Sequence, residues 1–252
     1  MTLAAGDRSD WRLVWQDEFD GKTLDLSKWE FEVNAQGGGN NELQYYVTNN
    51  VRVKDGLLFI EARKERYSGP EGTREYTSSR IRTRFKGDWK YGRFDIRARL
   101  PKGRGMWPAI WMLPTDNVYG GWPNSGEIDI MELVGHESNK VHGTLHYGDP
   151  VKGHDYKGTH YMLAAGTFAD DFHVFRLDWE PDVMRWYVDG KPYQTQTNWR
   201  TRTKTFPAPF DQRFHLLLNL AVGGNWPGNP DKKTVFPQAM VADYVRVYRR
   251  KN

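Results

Sequence analysis

The sequence contains no cysteine among its 252 residues. A disulfide framework, a thiol nucleophile and a cysteine-based zinc site are therefore excluded. No run approaches the 18 apolar residues that a membrane-spanning helix needs, so no membrane partner is expected. The first six residues have neither the length nor the basic flank of an intact signal peptide.

The chain also lacks a long block of basic residues. Its net charge is +4, with 36 Lys and Arg against 32 Asp and Glu, and the two signs are interleaved along the sequence. Interleaved charge is typical of a solvated surface, so a nucleic-acid partner is not expected.

Helical periodicity is missing as well, and strand signals take its place from end to end. Alternating apolar residues recur at residues 11–16, 57–62, 93–100 and 172–179, with turn-forming Gly, Pro and Asp between the segments. About a dozen short strands favour an all-β sandwich of two antiparallel sheets. We predict one domain over residues 1–252, with 1–10 as a flexible extension. The first and last strands are expected to pair at a sheet edge.

The segment at 127–132 (EIDIME) combines three acids with a break in strand alternation. Glu127 and Asp129 share one face of a regular strand, whereas Glu132 falls at odd spacing from them. One extra residue in a bulge near Met131 would return Glu132 to the face of the other two acids.

Three carboxylates on one face repel one another. An exposed acidic face paired with Arg or Lys is one interpretation, but the flanking apolar and Trp residues argue against it. Crowding raises the pKa of one acid relative to another and separates a proton donor from a nucleophile, as glycoside hydrolysis requires. Spacing alone does not choose between retention and inversion of configuration.

On these residues the sequence resembles glycoside hydrolase family 16, and within it the bacterial laminarinase-like endo-β-1,3-glucanases. The resemblance extends from about Trp11 to Tyr248. Beside EIDIME, the segments that carry it are NNELQY at 40–45, GMWPAIWML at 105–113, GTLHY at 143–147, WYVDG at 186–190 and GGNWPG at 223–228.

The resemblance implies a β-jelly roll with a substrate cleft across a concave sheet. It implies that Glu127 is the nucleophile, Glu132 the acid/base and Asp129 a partner that sets the protonation of the nucleophile, with retention of configuration. It also implies internal cleavage of β-1,3-glucan, with mixed-linked β-1,3-1,4-glucan as a further substrate, and no cofactor for catalysis.

Further positions match cleft residues of this branch, and each has a structural alternative. The Trp residues could instead pack in the core, and the histidine could be structural. The predicted substrate-binding residues are Asn41, Arg80, Trp107, Trp111, Trp122, His146 and Trp226.

The resemblance also implies a structural calcium ion, held by Glu18, the carbonyl group of Gly56 and Asp243. Oxygen ligands suit this hard cation. The alternative is an empty or sodium-filled site. We further expect a secreted monomer.

Other functions stay open at this point. The same mechanism could act on lichenan, agarose or carrageenan, and a transglycosylase could pass the sugar to another sugar. A non-catalytic glucan-binding protein would share the sandwich but would lack Glu127 and Glu132.

Overall fold

A computed structural model describes residues 10–148, 153–201 and 204–251. Three short 3₁₀ turns occur there, at Gly37–Gly39, Thr48–Asn50 and Gly135–Glu137. The strands of the described residues are, in chain order, β1 (Trp11–Asp17), β2 (Glu30–Phe31), β3 (Gln44–Tyr46), β4 (Val51–Lys54), β5 (Leu57–Ala62), β6 (Tyr67–Gly69), β7 (Gly72–Arg74), β8 (Tyr76–Ser78), β9 (Arg80–Arg82), β10 (Asp88–Trp89), β11 (Gly92–Arg99), β12 (Met106–Pro114), β13 (Glu127–Glu132), β14 (Lys140–Tyr147), β15 (Asp155–Met162), β16 (His173–Glu180), β17 (Val183–Val188), β18 (Lys191–Gln196), β19 (Phe214–Val222) and β20 (Gln238–Arg250).

The strands form two large antiparallel sheets, as predicted. The first sheet has the order β18-β17-β16-β11-β20-β5-β4, and β1 also pairs with β20. The second sheet has the order β15-β14-β13-β12-β19-β9-β2, and β10 also pairs with β19. Two small pairs, β3–β8 and β6–β7, lie outside them.

The predicted pairing of the first and last strands is confirmed, but their predicted place at a sheet edge is wrong for the last strand. β20 pairs with β11 on one side. On its other side it pairs with β5 through its first half and with β1 through its second half. A strand of 13 residues is long enough to pair with two shorter ones along one side, and β20 is therefore interior to the first sheet.

One hydrophobic core lies between the two sheets. β12 shows how alternation builds it, since Met106, Ile110 and Met112 are fully buried in this core, whereas Trp107 and Trp111 are only partly buried. In β14, Val141 and Leu145 enter the core in the same way. The second sheet thus turns one face to the first sheet and presents the other, with its Trp and His side chains, away from the core.

Of the predicted N-terminal extension, residues 1–9 lie outside the described residues. The carbonyl group of Asp10 accepts a hydrogen bond from the backbone N–H of Lys251 at 2.8 Å, so this residue is already tied to the end of the first sheet. In the part of the chain that the structure describes, nothing helical is long and apolar enough to span a membrane.

Candidate active site

The acidic strand β13 contains the bulge that its sequence pattern predicts. Against β12, Trp111 lies opposite Asp129 and Ile110 lies opposite Met131, so Ile130 is an extra residue. The pairing with β14 shifts at the same point. Because the extra residue reverses the alternation, Glu132 joins Glu127 and Asp129 on the face that points away from the core.

The three carboxyl groups are crowded and largely withdrawn from water. Burial raises the pKa of Glu127, Asp129 and Glu132 to about 8 in each case. The negative charge of Asp129 is the next cause that raises the pKa of both glutamates. Like charges this close cannot all ionise near neutral pH, so the group retains protons that exposed carboxyl groups would have lost.

Each glutamate has its own indole donor. The Nε1–H of Trp107 donates to Oε1 of Glu132 at 3.0 Å. The Nε1–H of Trp122 donates to Oε2 of Glu127 at 2.9 Å. Both bonds favour the ionised carboxylate and lower the pKa of the glutamate that accepts them, against the larger effect of burial. The two glutamates, which flank Asp129 in the strand, thus have separate hydrogen-bond donors.

His146 faces the same carboxyl groups from the neighbouring strand β14. Its Nε2 atom lies 3.2 Å from Oδ2 of Asp129 and 3.9 Å from Oε1 of Glu127. The contact with Asp129 is close but not aligned as a hydrogen bond, so Oδ2 is buried without a hydrogen-bond partner among the described residues. The side-chain atoms of Glu127, Asp129 and His146 all lie within 4.8 Å of one another, close enough to hold a cation. We assign the cluster to proton chemistry, because an acid and a base can share protons at this spacing.

Trp111 belongs to a polar cluster beside the acids. Its Nε1–H donates to Oδ1 of Asn219 at 2.7 Å, and Nδ2 of Asn219 donates to the hydroxyl group of Tyr46 at 3.2 Å. The guanidinium group of Arg80 lies over the rings of Tyr46 and Trp111, and it pairs with Glu32 at 3.4 Å. Arg80 is therefore already held by its neighbours, with its Nε atom buried and unpartnered among the described residues.

The remaining predicted residues lie next to Trp107. The ring of Trp226 makes an edge contact with Trp107 at 5.5 Å and is 40% exposed. Asn41 donates from Nδ2 to Oδ1 of Asn225 at 2.9 Å, which joins its loop to the loop of Trp226. The structure thus gathers the predicted catalytic and substrate-binding residues on one face of the second sheet.

Comparison with known proteins identifies the family. Residues 18–244 match the family described as glycosyl hydrolases family 16. The β-glucanase of Rhodothermus marinus is 48% identical over 268 aligned positions, which cover 98% of this chain and 90% of that protein. The chain belongs to glycoside hydrolase family 16.

Solved structures of this family share the fold. The catalytic domain of the endo-1,3-β-glucanase (laminarinase) of Thermotoga petrophila is 44% identical, with a TM-score of 0.87 over 96% of this chain and 99% of that one. The laminarinase of Rhodothermus marinus is 48% identical, with a TM-score of 0.86 over 96% of this chain and 98% of that one. The predicted jelly-roll fold is confirmed by these neighbours.

The two carboxylates that the family resemblance predicts as calcium ligands form ion pairs with arginines. Both carboxylate oxygens of Glu18 accept hydrogen bonds from Arg246 at 2.7 Å. Oδ2 of Asp243 accepts one from Arg97 at 2.6 Å. Gly56 lies in the β4–β5 turn with φ +72°. A Cβ atom added there would lie 4.0 Å from Oδ1 of Asp20. As they stand, these residues do not fit a calcium ion, which needs six to eight free oxygen ligands.

A cavity of about 830 Å³ lies on the first sheet, away from the acids. It is lined by Trp11 and by charged residues that already pair with one another, among them Arg93 with Asp178 at 2.7 Å and Arg185 with Glu180 at 2.8 Å. These charges are neutralised by one another, unlike the three crowded carboxyl groups of β13.

Three residues of the site escape the sequence analysis. Tyr46 and Asn219 connect Trp111 to Arg80, and His154 contacts His146. Tyr46 comes directly after the NNELQY segment. Asn219 carries the only amide side chain within the apolar strand β19. A buried amide in an apolar strand is a signal that such a residue has a polar partner.

Proposed function

We propose that this member of glycoside hydrolase family 16 cleaves internal β-1,3-glucosidic bonds of laminarin-type glucans with retention of configuration. The observation that carries the proposal is the bulged strand β13, which presents three carboxyl groups on one face beside four tryptophans. Two carboxyl groups in different states of protonation are what glycoside hydrolysis needs.

Glu132 is proposed as the general acid and base. Burial raises its pKa to about 8, as it does for Glu127 and Asp129, so the crowded group holds protons near neutral pH, and we assign one of them to Glu132. It gives this proton to the glycosidic oxygen as the bond to the leaving sugar breaks. In the second step it takes a proton from the water that attacks the anomeric carbon, and so returns to its starting state.

Glu127 is proposed as the nucleophile. Its carboxylate forms a bond to the anomeric carbon while the leaving group departs, and this ester is released when water attacks. The Trp122 donor and nearby His146 both favour its charged form. Asp129, with its pKa raised by burial, keeps a proton and thereby leaves the available negative charge to Glu127.

The substrate proposal rests on the walls of the site. Trp107, Trp122 and Trp226 are partly exposed aromatic rings, and such rings bind the flat apolar faces of pyranoses. The named activities of the relatives in Thermotoga petrophila and Rhodothermus marinus agree with a β-glucan. Mixed-linked β-1,3-1,4-glucan is proposed as a second substrate. We propose that the enzyme acts outside the cell as a monomer.

Catalysis in this family needs no cofactor. We propose further that the junction near both ends of the chain is stabilised by the ion pairs Glu18–Arg246 and Asp243–Arg97, in place of the calcium ion that the resemblance implies. Support comes from the bidentate geometry of the first pair, which occupies both oxygens of Glu18.

The test uses chemical rescue, which assigns each glutamate by stereochemistry. With a dinitrophenyl β-glycoside of laminaribiose, azide should restore turnover to both Glu127→Ala and Glu132→Ala. Rescue of Glu132→Ala should give the β-glycosyl azide, because azide replaces water in the second step. Rescue of Glu127→Ala should give the α-glycosyl azide, because azide replaces the nucleophile.

The matched control is Glu75→Ala, which removes an exposed glutamate that pairs with Arg66. It should leave the rate unchanged. Parallel assays on laminarin, barley β-glucan, agarose and cellulose test the substrate. A wild-type rate on laminarin in either active-site variant would refute the mechanism, and activity on agarose alone would refute the substrate.

A further inference from the structure

His154 contacts His146 and Trp122, the two residues that face the carboxyl group of Glu127. Its Nε2 atom lies 2.9 Å from Nδ1 of His146, within hydrogen-bond distance. Its ring also packs against Trp122 at 4.9 Å, and Trp122 donates to Glu127. His154 lies just before β15, and no local sequence pattern predicts its contacts with these two residues.

The bond between the two imidazoles has a consequence for His146. A neutral imidazole has one protonated nitrogen and one bare nitrogen, so one ring must donate and the other must accept. If Nε2–H of His154 donates, Nδ1 of His146 is bare and its proton is on Nε2. If His154 accepts, Nδ1 of His146 carries the proton and its Nε2, facing Asp129 and Glu127, is bare.

The surroundings favour the first arrangement. Nε2 of His146 lies 3.2 Å from Asp129 and 3.9 Å from Oε1 of Glu127, and Glu127 carries the negative charge when the nucleophile ionises. A bare nitrogen lone pair directed at that charge is repelled, whereas an N–H is attracted. Burial lowers the pKa of His154, which favours its neutral ring, and a neutral ring donates to His146 when its proton is on Nε2.

We propose that His154 is a positioning residue, which holds the proton of His146 on Nε2 so that it faces Asp129 and Glu127. The inference rests on the proposed function, since it gives His146 its task in forming the nucleophile. Other groups near the two rings are Tyr156, whose ring is 5.9 Å from that of His146, and Asp155, whose charge acts on His154. His154 is within hydrogen-bond distance of Nδ1 of His146, so we assign the tautomer of His146 to this contact.

The test compares one variant that removes the N–H donor with one that keeps it. His154→Phe keeps a flat ring against Trp122 but loses the donor, whereas His154→Gln retains an amide N–H on a side chain of similar reach. His160→Phe is the matched control, because this exposed histidine lies in β15, the strand that follows His154, and contacts His142 instead of His146.

The direct readout is the long-range proton–nitrogen NMR spectrum of protein labelled in its histidines, which reports which nitrogen of His146 is protonated. We expect His146 to carry its proton on Nε2 in the wild type, in His154→Gln and in His160→Phe. In His154→Phe we expect a mixture of the two tautomers. An unchanged spectrum in His154→Phe would overturn the proposal.

Kinetics give the second readout. His154→Phe should lower kcat on laminarin about tenfold with little change in KM, and His154→Gln should restore most of it, as for partners that orient a reacting group. A folded His154→Phe variant with a wild-type kcat and pH profile would also overturn the proposal. The NMR result does not need turnover, so it still decides the role of His154 if the proposed glucanase activity fails.

Discussion

The indole Nε1–H of Trp186, a residue of the first sheet, donates at 2.8 Å to the backbone carbonyl group of Asp129 in the second sheet. The register of β13 against both neighbouring strands shifts directly after Asp129, and a buried carbonyl group needs a donor. Gly143 of β14 makes room for the contact, because a Cβ there would lie 2.6 Å from the Trp186 ring. The core of the sandwich thus supports the shape of the catalytic strand.

Trp186→Phe should therefore lower both stability and activity. The change leaves a buried carbonyl group without its donor, at a cost of about 1–3 kcal/mol in the free energy of unfolding. Since the bulge positions Glu132, kcat should fall about tenfold or more. Urea unfolding and laminarin kinetics measure the two effects.

The matched control is Trp179→Phe. Trp179 is equally buried in the first sheet, but its Nε1 has no hydrogen-bond partner among the described residues. We expect this variant to lose stability through packing alone and to keep its kcat. Equal losses of kcat in both variants would show that the Trp186 bond does not support the site.

Trp107 and Trp122 should act on opposite limbs of the pH profile. The N–H of Trp107 lowers the pKa of Glu132, so Trp107→Phe should raise this pKa and move the alkaline limb of kcat/KM upward by about 0.5–1 pH unit. Trp122→Phe should raise the pKa of Glu127 and move the acidic limb upward by a similar amount.

The measurement is kcat/KM from pH 4 to 10 on a soluble β-glucan. In each variant one limb should move while the other stays in place. If both variants move the same limb, the assignment of acid and nucleophile is wrong.

Glu132→Gln should change how stability depends on pH. The carboxyl pKa is about 8 in the folded protein against an ordinary value of 4.5. Below pH 4.5 both folded and unfolded chains hold the proton. As pH rises from 4.5 through 8, the unfolded chain releases it while the folded chain keeps it, so the free energy of unfolding falls.

The glutamine variant has no proton to release and still accepts from Trp107. As the pH rises from 4.5 to 8, its free energy of unfolding should increase relative to that of the wild type by on the order of 1–3 kcal/mol. Glu75→Gln, at an exposed position, should show no such gain. Parallel stability curves for the wild type and Glu132→Gln would contradict the raised pKa.

Chelation should leave the melting temperature unchanged within about 1 °C, because a ligand that is not bound contributes no stability. Glu18→Gln should weaken the pair with Arg246 and reduce stability by about 0–1 kcal/mol, equally in chelator and in calcium. Differential scanning fluorimetry measures both. A melting temperature that rises by several degrees on addition of calcium, and does not rise in Glu18→Gln, would support the calcium site that the resemblance implies.

Much of the site could be predicted because its pattern is local. The step from Asp129 to Glu132 breaks the two-residue alternation of a strand, and a bulge is the local structure that repairs it. Trp107 and Trp111, four residues apart, share a face for the same reason. The nearness of Trp226 to Trp107 came from the resemblance, since loops between strands carry no such period.

The partners that the sequence does not show belong to distant segments. Glu18 and Asp243 have the oxygen chemistry of calcium ligands, but nothing near them in sequence shows that Arg246 and Arg97 reach their carboxylates. His154 is one of seven histidines, and its spacing in the sequence does not distinguish it from the others. Trp186 gives no local sign of its bond to Asp129, because that bond crosses from one sheet to the other.

The sequence by itself determined the two-sheet sandwich, the bulged acidic strand and the aromatic face, because alternation along a strand decides which side chains share a face. Only the tertiary structure decided which indole supports each carboxyl group, which imidazole faces Asp129, and which arginines hold Glu18 and Asp243. Those partners depend on how strands are ordered and how the sheets are stacked, and that arrangement results from packing across the whole core.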